Sequence, residues 1–211
     1  MYRKFICAVL LLTCACYGEF ESRISSGVST NLNDDWSLNF KYETRIIEQQ
    51  DCFDYNSGDI GFSYKGLHEN IKIGLNYKVS NQLKNNQWRI EQRPYGYLTY
   101  KNKIKSIDWS NRVRIEYREF DTKEDLWRLR NKFGFKFPYL YKPLKLRPYI
   151  ADEVYYQFND QGYSKNRIYG GCTFNLTENF KSDIYYFWEK ERESAGGDEL
   201  NVLGLKFTYY F

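Results

Sequence analysis

Leu203-Gly204-Leu205-Lys206-Phe207-Thr208-Tyr209-Tyr210-Phe211 closes the chain. Leu203, Leu205, Phe207, Tyr209 and Phe211 fall on one side of a period of two, and Gly204, Lys206, Thr208 and Tyr210 fall on the other. Successive side chains of a strand point to opposite faces, so the stretch is a strand with one oily and one mostly polar face. A tilted strand of about 9–11 residues crosses a hydrocarbon layer of about 30 Å. The segment therefore reads as a membrane strand ending on Phe211, the element that barrel-assembly machinery is expected to engage.

The same alternation recurs upstream. Trp36, Leu38, Phe40 and Tyr42 oppose Ser37, Asn39, Lys41, Glu43 and Arg45, and Ile71, Ile73, Leu75, Tyr77 and Val79 oppose Lys72, Gly74, Asn76 and Lys78. Repeated alternating stretches of about ten residues, separated by turn residues, are the mark of a transmembrane barrel. Strands are predicted at 36–47, 54–65, 70–80, 88–101, 106–120, 125–137, 146–159, 163–176, 180–192 and 200–211. The count is ten, an even number as bacterial single-chain barrels show. Residues 24–32 offer a further strand before the Asn33-Asp34-Asp35 turn, and twelve is the alternative count. A secreted β-sandwich also alternates, but its strands run about five or six residues.

The N-terminus supplies an export address. Basic Arg3 and Lys4 precede the apolar run Phe5 to Leu12 and the small residues Thr13, Cys14, Ala15 and Cys16, the layout of a secretory signal. Cleavage is expected near Gly18, dividing the chain into a signal peptide, 1–18, and an all-β transmembrane antiparallel barrel, 19–211. A lipoprotein reading at Cys16 fits less well, because Thr13 stands where a lipobox has Leu. Beyond residue 18 no apolar run approaches the roughly 18 residues a spanning helix needs. The expected location is the outer membrane of a Gram-negative bacterium, with its lipids as partners.

Composition agrees with a barrel that is polar inside and aromatic outside. Mean hydropathy is negative, yet Tyr, Phe and Trp make up 19% of the chain. The formal charge is +4, of which Arg3 and Lys4 of the leader supply two, too small an excess for a nucleic-acid binder. Cys7, Cys14 and Cys16 lie in the leader, leaving Cys52 in a predicted loop and Cys172 in a strand, so no obligatory disulfide is expected.

If the last strand ends at the periplasmic side, the outside loops fall near 48–53, 81–87, 121–124, 160–162 and 193–199. Trp88, Trp127 and Trp188 then lie on the apolar face near an outside loop, and Trp36, Phe137, Phe180 and Phe211 near the opposite rim, as two aromatic belts. The polar face is ionic in its outside half. Glu43, Arg45, Arg89, Glu91, Arg93, Glu116, Arg118, Arg128, Arg130, Glu153, Arg167, Glu189 and Glu191 should meet in one lumen, where such charges persist by pairing or by staying wet. Arg112, Arg114, Lys132, Lys136 and Arg147 add to the inward set and tip it basic. The lumen is either plugged by this Arg–carboxylate network, since barrels of about eight to ten strands are close to filled by their own side chains, or left as a narrow path favouring a small anionic solute.

Catalysis is not expected. His68, the one histidine, falls in the predicted periplasmic turn Lys65 to Glu69, away from any nucleophile it could serve. Glu189 and Glu191 are an acid pair without a histidine, and two acids on one inward face serve to neutralise arginines. A lipid-modifying enzyme using Glu153, Glu189 and Glu191 is the remaining enzymatic alternative. No zinc-type ligand spacing occurs and no cofactor is implied. The Asn175-Leu176-Thr177 sequon sits at a strand end and is expected to be empty.

Arg112-Val113-Arg114-Ile115-Glu116-Tyr117-Arg118, Trp127-Arg128-Leu129-Arg130 and Pro148-Tyr149-Ile150-Ala151-Asp152-Glu153, continued by Arg167-Ile168-Tyr169-Gly170-Gly171 and Tyr185-Tyr186, resemble the bacterial family catalogued as domain of unknown function 2490. The resemblance spans most of the segment after the leader. It implies an outer-membrane barrel and brings no activity with it. From the residues, a porin-like barrel stands first. A surface-binding module, with the loop Glu193 to Glu199 holding a partner and the barrel as its anchor, is the alternative.

Overall fold

The computed structural model describes residues 19–47, 53–84, 86–158, 162–192 and 199–211. These residues form β1 (Glu19–Asn31), β2 (Trp36–Ile47), β3 (Phe53–His68), β4 (Ile71–Lys84), β5 (Gln87–Ile104) and β6 (Ile107–Phe120). The chain continues through β7 (Leu126–Lys136), β8 (Arg147–Gln157), β9 (Gly162–Asn175), β10 (Phe180–Glu191) and β11 (Glu199–Tyr210). Chain neighbours pair antiparallel all the way round, and β1 closes the sheet against β11 as a barrel. The expected leader, the loop bearing Cys52 and residues 193–198 lie outside the described residues.

The count of ten, or twelve, is corrected to eleven strands among the described residues. The additional strand is β1, where Phe20, Ile24 and Val28 point out while Glu21, Arg23 and Ser25 are buried inside. Its outward serines and short side chains make a faint alternation, which is why its place in the ring was open. An odd ring of antiparallel neighbours must contain one parallel pair, and here it is β1 with β11, Ile24 opposite Leu205.

Phe211 and the connections 32–35, 69–70, 105–106, 137–146 and 176–179 share one end, here the C-terminal rim. The ends of β2, β4, β6, β8 and β10 and the starts of β3, β5, β7, β9 and β11 share the other, the loop rim. Asn33 folds the first turn, its Oδ1 accepting from the backbone N–H groups of Asp35 at 3.0 Å and Trp36 at 2.8 Å, as turn-forming Asn residues do. Two boundaries move. Residues 81–84 are strand rather than loop, with Asn81 bonded across to Asn56 at 3.4 Å. His68 ends β3 beyond a register shift instead of sitting within the turn, and its Nδ1 accepts from the Asn70 N–H at 3.2 Å.

The oily face points away from the interior. Leu75, Ile150, Ile168, Ile60 and Phe40 are exposed on the outer wall, and strict alternation puts their neighbours inside. Apolar packing inside is confined to a patch of Ala151, Tyr169, Phe187 and Val202. The remaining interior is lined by polar and ionic side chains.

Candidate functional site

Alternation along each strand decides what faces the lumen, and strand tilt decides which of those residues share a level. From Lys206, register partners run through Asp183, Thr173 and Arg147 down to the C-terminal rim. In the other direction they run through Ser25, Glu43, Ser57, Ser80 and Glu91 up to the loop rim. This slant is the tilt that closure of a sheet imposes. It brings both Lys206 and Lys132 near enough to Arg112 for like charges to repel.

In the loop-side half the charges are paired. Glu116, fully buried, sits among three arginines, with Arg130 at 2.9 Å, Arg114 at 3.3 Å and Arg128 in contact with its other oxygen. Arg130 bridges to Glu153 at 2.7 Å, whose second oxygen accepts from Tyr169 OH at 2.7 Å and Tyr155 OH at 3.0 Å. Glu91 takes Arg93 and Arg118, each at 2.6 Å. Glu43 takes Arg45 at 2.9 Å and Lys41 at 2.6 Å. Arg167 and Lys165 share Glu189, and Lys165 also reaches Glu191. Charge-assisted bonds of this kind satisfy carboxylates that would otherwise be costly to bury.

Two members of the predicted network stand apart. Arg89 makes no ion pair among the described residues, and its buried Nε has no partner. Arg112 donates to the Thr99 hydroxyl at 2.9 Å and lies over the Tyr97 ring at 5.0 Å, with no carboxylate against it.

Glu21 and Arg23 on β1 belong to the network and were not anticipated; they bond to each other, and Glu21 lies 3.7 Å from Arg45. The inward aromatics were also missed, because aromatic residues were assigned to the outer face as a class. Tyr155 is 1% exposed and is ringed by Arg130 at 4.6 Å, Arg167 at 5.0 Å and Arg128 at 5.3 Å. Arg23 and Arg167 lie over Phe187, and the Lys132 ammonium sits 3.3 Å from the Tyr169 ring centre. Rings attract cations through their quadrupole, so they hold the arginines in place without adding charge. The sequence did carry the signal, since Tyr149, Tyr155 and Tyr169 share the parity of Glu153 and Arg167.

The C-terminal-side half is different. Lys72, Lys101, Arg112, Lys132, Lys136, Lys181 and Lys206 have no carboxylate within 4.0 Å among the described residues, and Arg112 and Lys206 are exposed to luminal water. Arg147 is held by Asp108 at 2.6 Å, and Asp183 accepts from Tyr149 OH at 3.2 Å. Glycines keep this level from filling. The rings of Tyr97 and Tyr185 lie flat over Gly74 and Gly204, where a Cβ would collide with them. A cavity of about 1560 Å³ results, with walls that run from Glu124 and Arg192 at the loop rim to Lys72 and Tyr210 toward the C-terminal rim.

Of the predicted belt residues, Trp36, Trp88, Trp127 and Phe211 are exposed on the outer wall. Trp188 is half-buried with its Nε1 donating to Glu199 at 3.3 Å, Phe180 stacks on Phe207, and Phe137 follows β7 half-buried.

The family model described as Protein of unknown function (DUF2490) matches residues 24–201. The chain belongs to this family. No curated protein matches it. Among solved structures, that of the NanC porin in a rhombohedral crystal form is similar, with a TM-score of 0.51 and 12% identity over 86% of this chain and 92% of that one. At that identity the likeness is one of fold, and what this family member shares with it is a closed barrel.

Proposed function

We propose that the protein is an outer-membrane barrel that conducts small anions through its lumen. The observation that carries this is the continuous cavity reaching from loop rim toward C-terminal rim, with unpaired Lys206, Lys132 and Arg112 on its wall. The outer wall supports membrane residence. Leu75, Ile168, Phe40 and Ile150 belong to an exposed apolar face that runs round the sheet, and a broad apolar surface marks contact with lipid or protein. The polar interior with an apolar exterior is the division a membrane barrel needs. The paired half sets the width, because its rings and ion pairs are fixed to the wall and to one another. The basic half supplies the preference, since uncompensated ammonium and guanidinium groups in a confined aqueous space raise the local concentration of anions.

Reconstitution of the purified chain in planar bilayers under a KCl gradient tests the reading. The expected result is discrete conductance with a reversal potential on the chloride side. A silent bilayer from folded protein would overturn it in favour of a lumen plugged by its Arg–carboxylate network.

A further inference from the structure

β7 and β8 each have eleven residues, and the sixth of each faces outward: Asn131 and Asp152. Asp152 alternates with buried Ala151 and Glu153 and lies on the same side as exposed Ile150 and Tyr156. Among the described residues it is the one charged side chain on the outer wall away from both rims. If the wall faces hydrocarbon, a carboxylate halfway along a strand is at the worst depth.

Its immediate surroundings are polar as well. Asn166 donates to Asp152 Oδ1 at 2.7 Å. Asn111 and Asn131 bond reciprocally, at 3.0 and 3.3 Å. After these bonds each amide still has an N–H to give and Asp152 still has an oxygen to receive. Lipid headgroups lie at the rims and do not reach this level. On β9, Gly170 faces outward beside Ile150 with open space over it, and small residues at membrane interfaces let two surfaces approach closely.

We propose that this stripe is an interface with a second copy of the chain, related by a twofold axis. The inference rests on the membrane reading of the wall. The patch is self-complementary: across a twofold axis the spare N–H groups of Asn111 and Asn131 meet the open oxygen of Asp152 in the other copy, and the same bonds form in reverse. A repeated pair of charge-assisted hydrogen bonds then replaces an exposed carboxylate. The axis would run along the membrane normal just outside the wall, facing the register neighbours Asn131, Val154, Phe133 and Asp152, so that both copies keep one orientation across the bilayer.

The test uses the full chain in lipid nanodiscs, with mass read by light scattering. The expected mass is that of two copies, falling to one in both Asp152→Leu and Asn131→Leu while single-channel conductance is retained. In a chain with Cys52 and Cys172 changed to serine, Val154→Cys should oxidise to a disulfide-linked dimer. Ile60→Cys, on the opposite wall, should not. A single-copy mass at every concentration with no Val154 cross-link would overturn the proposal, as would cross-linking in cells only to a different protein. Dimers without conductance would sink the pore and leave the interface standing.

Discussion

The loop-side and C-terminal-side halves of the lumen are built from the same strands by the same alternation, yet they handle charge in opposite ways. Around Glu116 and Glu153 nearly every cation has a carboxylate and an aromatic ring against it. Around Lys206 several cations share one carboxylate, Asp183, and none of them lies within ion-pair distance of it. Charges in the first half are structural, because removing either partner leaves the other buried and uncompensated. Charges in the second are available, because their counter-charge has to come from solution. The division puts stability and selectivity at different depths of one barrel, so the two should be separable by mutation.

The hardest test of that division is Glu116→Gln. It leaves Arg114, Arg128 and Arg130 with Glu153 as the one remaining acid, and loss of a buried partner from such a cluster costs about 3–5 kcal/mol. Denaturant unfolding in lipid vesicles should show it, and an unchanged midpoint would erase the distinction between the halves. A smaller effect is expected of Gly204→Ala, whose new methyl displaces the Tyr185 ring. Overpacking of this sort costs roughly 1–3 kcal/mol, and conductance should fall as the ring swings inward. Gly58→Ala, with open space over the residue, is the matching substitution expected to do neither.

Lys132→Met combined with Lys206→Met should move stability by less than about 1 kcal/mol per site, because neither lysine has a carboxylate against it and methionine keeps an apolar contact with the Tyr169 ring that Lys132 covers. Their signature is the reversal potential, which should drift toward zero. A potential that stays put would move selectivity into the paired half.

The least effect belongs to the loop rim. There Asp125 accepts from Tyr117 OH at 2.7 Å and the Phe120 N–H at 3.0 Å. The tyrosine first, then the amide, hold its carboxyl below the ordinary value. A group lowered on folding stabilises above its unfolded value, about 3.9 for Asp, and loses that contribution as pH falls through the lowered one. Amide-exchange protection of Phe120 should therefore drop only in strong acid, and Asp125→Asn should abolish the pH dependence. Protection that declines already near neutral pH would contradict it.

Most of the barrel was legible because alternation is a direct image of a wall with two different solvents. Strand limits at 36–47 and the inward placement of Glu153 and Arg130 follow from it. β1 was harder, since serine and threonine outside give little contrast with serine inside. The inward tyrosines were hidden by a rule about residue type that parity would have overruled. The closure of the ring was not legible at all. Which strand meets β11, and in which direction, depends on the number of strands, and no local pattern encodes that number.

An odd ring also has a weakest link. Ten of its junctions are antiparallel and one, β1 to β11, is parallel, with slanted bonds that hold slightly less per residue. Neither edge of that junction is tied to the other by a hairpin, so it is where the circle must be zipped last when the barrel forms. It is also where a mechanical load would begin to unbutton it.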